Sequence, residues 1–269
     1  MLIALIGGLL ALYLYAIKPN PPSKKNLEPF LGPYYAHRGL FDNASNSPEN
    51  SLVAISKAVD KGYGVEFDVR LTRDGVPVVI HDNSLKRSLG LDGLVSEMTY
   101  KDLSEFNLFG SNEKIPTLQE VLSVVSGRVP IIVELKQDHG GDTTICDIAA
   151  PILDNYKGDY MVESFNPVLM IWYKKNRPAV IRGQLSTNHL KEGKKGLLLN
   201  LSLQYLLFNF LVKPDFIAYN HIYGNNLSLF INRRLYGITT AAYTLKSQDE
   251  LDKNRTRFDI LIFDSFTPE

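Results

Sequence analysis

The stretch Val65-Glu66-Phe67-Asp68-Val69-Arg70-Leu71-Thr72-Arg73-Asp74-Gly75-Val76-Pro77-Val78-Val79-Ile80 decides how this chain folds. Its first seven residues are rich in β-formers, and residues two apart on a strand share a face, so Glu66 and Asp68 point the same way. Asp74-Gly75 is a hairpin signal that returns the chain along Val76–Ile80. Strands rarely bury two acids side by side unless a cation neutralises them. Outward from this hairpin, further short β-rich runs stand at Tyr34–Arg38, Ile131–Leu135, Tyr160–Ser164, Val180–Leu185, Asp215–Tyr219, Ile238–Tyr243 and Asp259–Phe263. Helical segments separate them, among them Ser51–Lys61, Thr117–Ser126, Thr143–Tyr156, Pro167–Lys175 and Ser247–Lys253, with Asn166 as an N-cap before Pro167. Eight strands alternating with helices predict an α/β fold, a (β/α)8 TIM-type barrel, although a doubly wound open sheet has the same local pattern.

The chain has 269 residues, 45% hydrophobic and 22% charged, which are ordinary globular values. Lys+Arg and Asp+Glu are equal at 29 each, so there is no basic excess and nucleic acid is not an expected partner. The single cysteine, Cys146, excludes an internal disulfide framework and a cysteine-based zinc site.

From Met1 to Ile17 (MLIALIGGLLALYLYAI) no side chain is charged. As a helix this stretch reaches ~25 Å, the short end of what spans a bilayer core. Tyr13 and Tyr15 stand near one end, where amphipathic rings favour the interface, and Lys18 follows. A signal peptide would have a basic start and small residues before its cut, and neither is present. The expectation is therefore an uncleaved transmembrane helix over 1–17 and a single-pass membrane protein. Lys18, Lys24 and Lys25 all follow the helix, so the downstream domain leans to the cytoplasmic side, with the extracytoplasmic side left open. Pro19, Pro21 and Pro22 make 18–31 a semi-rigid spacer before a barrel over 32–269. Leu197–Val212 (LLLNLSLQYLLFNFLV) is also uncharged, but Asn200, Gln204 and Asn209 favour a buried or surface-docked helix over a second span.

The chemistry gathers at strand ends. His37-Arg38 ends the first strand, Glu66 and Asp68 lie in the second, His81-Asp82 follows the hairpin, and Glu134-Leu135-Lys136 ends the third barrel strand. In a barrel these ends converge on one rim. Three carboxylates without cysteine make a hard oxygen site suited to one divalent cation, Mg²⁺ or Ca²⁺. Arg38 and Lys136 supply charge for a phosphate oxyanion, and two histidines can divide acid and base duty. That set fits phosphodiester cleavage better than glycoside cleavage, and no G-x-G-x-x-G cradle follows the first strand.

The ordered pieces Ala36-His37-Arg38-Gly39, Pro48-Glu49-Asn50-Ser51, Glu66-Phe67-Asp68-Val69, Thr72-Arg73-Asp74-Gly75, Val78-Val79-Ile80-His81-Asp82, Ser84-Leu85-Lys86-Arg87, Ile115-Pro116-Thr117-Leu118 and Glu134-Leu135-Lys136 resemble the glycerophosphodiester phosphodiesterase family. Ser164-Phe165 and Phe258–Asp264 are fainter echoes. The resemblance implies hydrolysis of glycerophosphodiesters to glycerol 3-phosphate and an alcohol. His37 and His81 are the implied acid–base pair, and Glu66, Asp68 and Glu134 the implied metal ligands. Arg38 and Lys136 hold the phosphate, Glu49 and Asn50 line the edge, and Phe165 and Tyr243 contact substrate. It also implies attack by the substrate's own glycerol hydroxyl through a cyclic phosphate, and a small insertion over the rim at Asn83–Ile115. Tyr243-Thr244 stands where the family often has Trp-Thr.

The chain ends five residues after Asp264, so either Asn26–Leu31 covers the place of an eighth outer helix or the barrel is open there. His139, His189 and His221 fall outside the motifs and read as surface or core histidines. The implied partners are a glycerophosphodiester or lysophospholipid substrate and, through the first helix, a membrane. Nothing calls for an obligatory protein partner. The alternatives are a lysophospholipase D-type diesterase working at the bilayer and a non-catalytic binding barrel.

Overall fold

The computed structural model describes residues 1–20, 27–137, 140–192 and 196–269. The strands are β1 Tyr34–His37, β2 Gly64–Leu71, β3 Pro77–Val79, β4 Ile131–Leu135, β5 Tyr160–Ser164, β6 Ile181–Ser186, β7 Phe216–Asn220, β8 Thr239–Leu245 and β9 Ile260–Phe263. The helices begin with α1 Leu2–Ala16, α2 Leu52–Asp60, α3 Lys86–Leu89, α4 Tyr100–Ser104, α5 Leu118–Val125 and α6 Thr144–Asp154. They continue with α7 Pro167–Asn176, α8 His189–Glu192, α9 Leu197–Gln204, α10 Asn209–Val212, α11 Leu227–Leu235 and α12 Gln248–Asn254.

Eight strands run parallel in the order β1-β9-β8-β7-β6-β5-β4-β2, and β1 pairs with β2 to close the ring. This is the TIM-type barrel and not the open sheet. The hairpin strand β3 lies antiparallel on β2, so Asp74-Gly75 turns the chain as its sequence requires. Alternation along each strand separates two cores. On β5, Met161 faces the barrel interior with Tyr35, Ile132 and Phe216, while Val162 packs outward with the helices. Gly183 on β6 must be glycine, because a Cβ there would lie 2.2 Å from the Phe216 ring. Residues 83–115 hold α3 and α4 and their own core of Leu85, Val95, Leu103, Leu108 and Ile115 against Val78 and Ile80. Thr99 and Asp102 form a capping box at α4.

Among the described residues no helix follows β9, and the ring of strands closes through β1–β9 and β1–β2 pairing. Residues 27–31 do not cover the outer wall there. They place Phe30 among the interior residues, with Tyr35 Oη donating to Phe30 O at 3.2 Å, and so plug the N-terminal mouth.

The single-pass membrane expectation is corrected. Helix α1 has 15 residues, about 22 Å at 1.5 Å per residue, against a hydrocarbon core of about 30 Å. No helix among the described residues is long and apolar enough to cross a membrane. The residues expected at a lipid interface contact protein instead. Tyr13 Oη meets Ser228 Oγ at 2.7 Å, Tyr236 Oη donates to Leu14 O at 2.9 Å, and Tyr15 stacks 5.6 Å from Phe210. Ile17 is fully buried, and Asn209 Nδ2 donates to its carbonyl at 3.1 Å. The expected membrane side falls with the span. Residues 21–26 of the expected spacer, including Pro21, Pro22, Lys24 and Lys25, lie outside the described residues, as does His139.

Leu197–Val212 forms two helices, α9 and α10, with Leu206 in the left-handed region between them (φ 58°). Its polar residues Asn200, Gln204 and Asn209 are buried, and Asn209 is bonded to the Ile17 carbonyl, which is why they interrupt the apolar run. Arg182 on β6 caps α10 by donating to Val212 O at 3.1 Å and Lys213 O at 2.6 Å.

Candidate active site

Backbone constraints set the first motif. Gly39 (φ +83°) packs so closely on α2 that a Cβ would meet the Ala54 carbonyl carbon at 2.6 Å. Arg38 itself adopts φ 58°, pinned by Arg38 N–H donating to Glu66 O at 2.7 Å and by Asn50 N–H donating to Arg38 O at 3.0 Å. A non-glycine residue in this region is uncommon and concentrates at sites where the surroundings over-determine it. It turns the guanidinium back over the strand ends.

Each histidine has an aspartate behind it. His37 Nδ1 lies 3.0 Å from Asp264 Oδ2, and His81 Nδ1 lies 2.6 Å from Asp82 Oδ1. With Nδ1–H donated to a carboxylate, Nε2 is the nitrogen left to work. Burial and the Arg38 charge lower the His37 pKa, opposed by Asp264. Asp82 is held in turn by Arg87, whose Nε donates to it at 2.6 Å.

The carboxylates form a row. Asp68 is in register with Glu134, and Glu134 with Glu163 on the next strand. Lys136 Nζ sits 3.1 Å from Asp68 and 2.9 Å from Glu134. Burial alone would raise Asp68, but Lys136, His81 and Arg38 outweigh it and hold its pKa well below the usual range. Glu66 moves the other way, pushed up by burial and by Asp68 and Glu134. Its Oε2 has no hydrogen-bond partner, with His37 Nε2 3.9 Å away. Glu66, Asp68 and Glu134 each offer an oxygen within 4.8 Å of the others. Hard donors, a raised acid and an orphaned oxygen together fit a divalent cation.

Glu49 and Asn50 stand behind the cavity wall. Glu49 accepts from Arg38 Nη1 at 2.8 Å and from both Arg87 terminal nitrogens at 2.8 and 2.7 Å. Its burial would raise its pKa, but these two arginines bring it down to about 2. Asn50 Nδ2 donates to Asp68 Oδ2 at 2.9 Å.

These side chains open into a cavity of 180 Å³ at the C-terminal mouth of the barrel. His37, Arg38, Glu66, His81, Glu134 and Lys136 line one wall, and Glu163, Phe165, Leu185, Tyr243, Thr244 and Ile262 the other. Phe165 and Tyr243 meet edge-on at 6.1 Å, and Tyr243 Oη donates to Ser186 O at 2.7 Å. A larger cleft of 760 Å³ lies outside the barrel between α2 and residues 263–267, but its lining offers no imidazole and only scattered charges. His189 packs on Phe165 and His221 faces Glu250, so neither enters the cavity.

Sequence reasoning assigned no role to Glu163, Asp264 or Arg87. An acid two residues after Met161, on a strand ringed by acids, was a signal for Glu163. Asp264 directly follows the last strand, β9, where a barrel places its rim residues.

Comparison with known proteins agrees with this geometry. Residues 37–266 match the model of the glycerophosphoryl diester phosphodiesterase family. A curated relative, a glycerophosphodiester phosphodiesterase of Bacillus altitudinis, is 37% identical over 109 residues, 38% of this chain and 43% of that protein. The matched stretch thus spans less than half the curated relative's length. A solved glycerophosphodiester phosphodiesterase from Thermotoga maritima superposes with TM-score 0.67 at 27% identity, covering 87% of this chain and 95% of its own. An Oleispira antarctica phosphodiesterase, solved with the product sn-glycerol-3-phosphate, shares the fold with TM-score 0.71 at 22% identity over 87% of this chain and 93% of its own. From His37 to the last strand, the chain belongs to the glycerophosphoryl diester phosphodiesterase family.

Proposed function

We propose that this protein is a metal-dependent phosphoric diester hydrolase that cleaves glycerophosphodiesters to glycerol 3-phosphate and an alcohol. The observation that carries the reading is the placement of two His–Asp pairs around one buried carboxylate trio in a single cavity. A non-catalytic barrel leaves both pairs without a purpose.

Glu66, Asp68 and Glu134 would hold one divalent cation, Mg²⁺ or Ca²⁺, which when bound lowers the pKa of a hydroxyl and offsets phosphate charge. Arg38, whose Nε makes no hydrogen bond and lies 3.4 Å from Asp68 Oδ2, and Lys136 would hold the phosphate. One imidazole Nε2 takes the proton of the substrate's free glycerol hydroxyl as its oxygen bonds to phosphorus. The other gives a proton to the departing head-group oxygen as its bond to phosphorus breaks. Water then opens the cyclic phosphate with the two roles exchanged. Asp264 and Asp82 keep each ring's working nitrogen turned toward the cavity. Glu49 acts through Arg38 and Arg87, and Asn50 through Asp68, so both are positioning residues. Phe165 and Tyr243 bound the substrate. Residues 83–115 act as cover over the rim, since Arg87 reaches from them to Glu49 and Asp82. We also propose that the barrel domain runs over 32–269.

The test is product identity. Incubation with glycerophosphocholine should give glycerol 3-phosphate and choline by phosphorus NMR. Phosphocholine with glycerol, or intact substrate under every cation, contradicts the reading.

A further inference from the structure

The two histidine–aspartate pairs are supported in different ways. Asp264, behind His37, is nearly covered, and its second oxygen accepts from its own neighbour, Ser265 Oγ, at 2.7 Å. The other pair is open to water. Side-chain exposure is 32% for His81 and 29% for Asp82, against 16% for His37 and 9% for Asp264. A carboxylate held through one oxygen swings easily about its broad terminal torsion, and exposure lets water compete for its hydrogen bond. The His81 pair therefore needs a second tether.

Arg87 supplies it. Asp82 Oδ1 faces His81 Nδ1 at 2.6 Å, and Oδ2 accepts from Arg87 Nε at 2.6 Å, so both oxygens are committed and the carboxylate plane is fixed. The other two nitrogens of Arg87 grip Glu49 as a fork, Nη1 to Oε2 at 2.8 Å and Nη2 to Oε1 at 2.7 Å. Glu49 is a firm anchor for that fork. It is buried, it accepts from Asn43 Nδ2 at 2.9 Å, and its own N–H donates to Asn43 Oδ1 at 2.9 Å. Support thus runs from Glu49 through Arg87 to Asp82 and His81.

The insertion at 83–115 is shaped to present this one side chain. Leu85 is fully buried in the insertion's own core, and α3 begins at the next residue, carrying Arg87 to the rim. Phe109 adopts φ 50°, which is uncommon for a bulky residue, and its ring lies 5.4 Å from the Arg87 guanidinium carbon. A tie that served only to fasten the insertion could end on any surface acid. This one ends on the carboxylate behind an acid–base histidine.

We propose that Arg87 is a positioning residue that holds the Asp82 carboxylate, and through it the working nitrogen of His81. The rim insertion is then part of the proton-transfer machinery as well as its cover. The effect on rate rests on the phosphodiesterase reading, whereas the effect on the ring rests on geometry alone.

Two readouts test this. The first is a double-mutant cycle on glycerophosphocholine. Arg87→Ala should lower kcat by about 10- to 100-fold in the wild-type background, with KM changed less than about threefold. In a His81→Ala background the same substitution should cost less than about threefold, because the group it acts through is gone. Arg87→Lys keeps the charge but cannot bridge two carboxylates, and should recover little of the loss. The second readout is the His81 Nδ1–H proton by NMR, assigned through its disappearance in His81→Ala. It should be a sharp downfield resonance in the wild-type protein and should broaden away by exchange with water in Arg87→Ala, while that of His37 is unchanged. If Arg87→Ala does not fold, Arg87→Met keeps the stem against Phe109, removes every donor and should give the same two results. A kcat within about threefold of wild type, equal losses in both backgrounds, a loss confined to KM, or an unchanged His81 resonance each overturn the proposal. A wild-type protein inactive on every substrate overturns the phosphodiesterase reading instead, and the imidazole resonance then decides the positioning by itself.

Discussion

The two walls of the cavity are built on different plans. The wall from β1, β2 and β4 is dense with charge. His37, Arg38, Glu66, Glu134 and Lys136 come from three strand ends, and almost every group is held by another. The wall from β5, β6, β8 and β9 is apolar and aromatic, with Glu163 as its single carboxylate. Charges that must act on a phosphoryl group are held in place beforehand, so they need little reorganisation at the moment of reaction. A wall that recognises a small polyol needs shape and one or two polar groups. The first wall should therefore fail catastrophically when altered, and the second should fail selectively.

The sharpest contrast comes from the trio. Glu66→Gln should lower kcat/KM by at least about 1,000-fold and abolish divalent-cation binding by calorimetry, with the fold intact by circular dichroism. Unchanged cation affinity would break the assignment of the trio.

Next in size are the imidazoles. His81→Ala should lower kcat by about 100- to 10,000-fold with KM changed only a few-fold, and a loss confined to KM argues against proton transfer. Asp264→Asn keeps the His37 contact but frees its tautomer, and a loss of about 100-fold in kcat is expected, smaller than for His37→Ala.

Glu49 offers a stability measurement. Its folded pKa of about 2 lies below the unfolded value of about 4.5. Its contribution is therefore complete above pH 4.5 and is lost as pH falls through the folded value. That is on the order of 3 kcal/mol in all. Urea midpoints should fall between pH 6 and pH 3 in the wild-type protein, and Glu49→Gln should flatten that fall. Identical pH slopes would show that the Arg38–Glu49–Arg87 cluster does not stabilise the rim.

The smallest change belongs to the second wall. Tyr243→Phe removes only the bond to Ser186 O, with about 1 kcal/mol of stability and less than threefold in rate expected.

The same contrast governs what the sequence discloses. The strands were legible because they are short runs of β-formers set between segments with helical signals. Val65–Leu71 was expected and β2 runs Gly64–Leu71, while Val180–Leu185 was expected and β6 runs Ile181–Ser186. The first wall was legible because its groups come in pairs on one strand, as with Glu66/Asp68 and Glu134/Lys136. The second wall draws Glu163 and Phe165 from the end of β5, Leu185 from β6, Tyr243 and Thr244 from β8 and Ile262 from β9, and its apolar members look in sequence like ordinary core residues. Asp264 reaches His37 across 227 residues, a pairing that no local pattern encodes. The opening apolar run misled for a related reason. Hydropathy does not register that Tyr13, Tyr15 and Ile17 would meet Ser228, Phe210 and Asn209.

One assay bears most directly on the claim that the charged wall performs cation-dependent phosphodiester chemistry. Release of glycerol 3-phosphate from glycerophosphocholine would be followed before chelation, after chelation, and after Mg²⁺ or Ca²⁺ is restored, with Glu66→Gln in parallel. The expected result is activity that chelation removes and one of the two cations restores in the wild-type protein alone. Release that survives chelation, or that Glu66→Gln sustains, would contradict it.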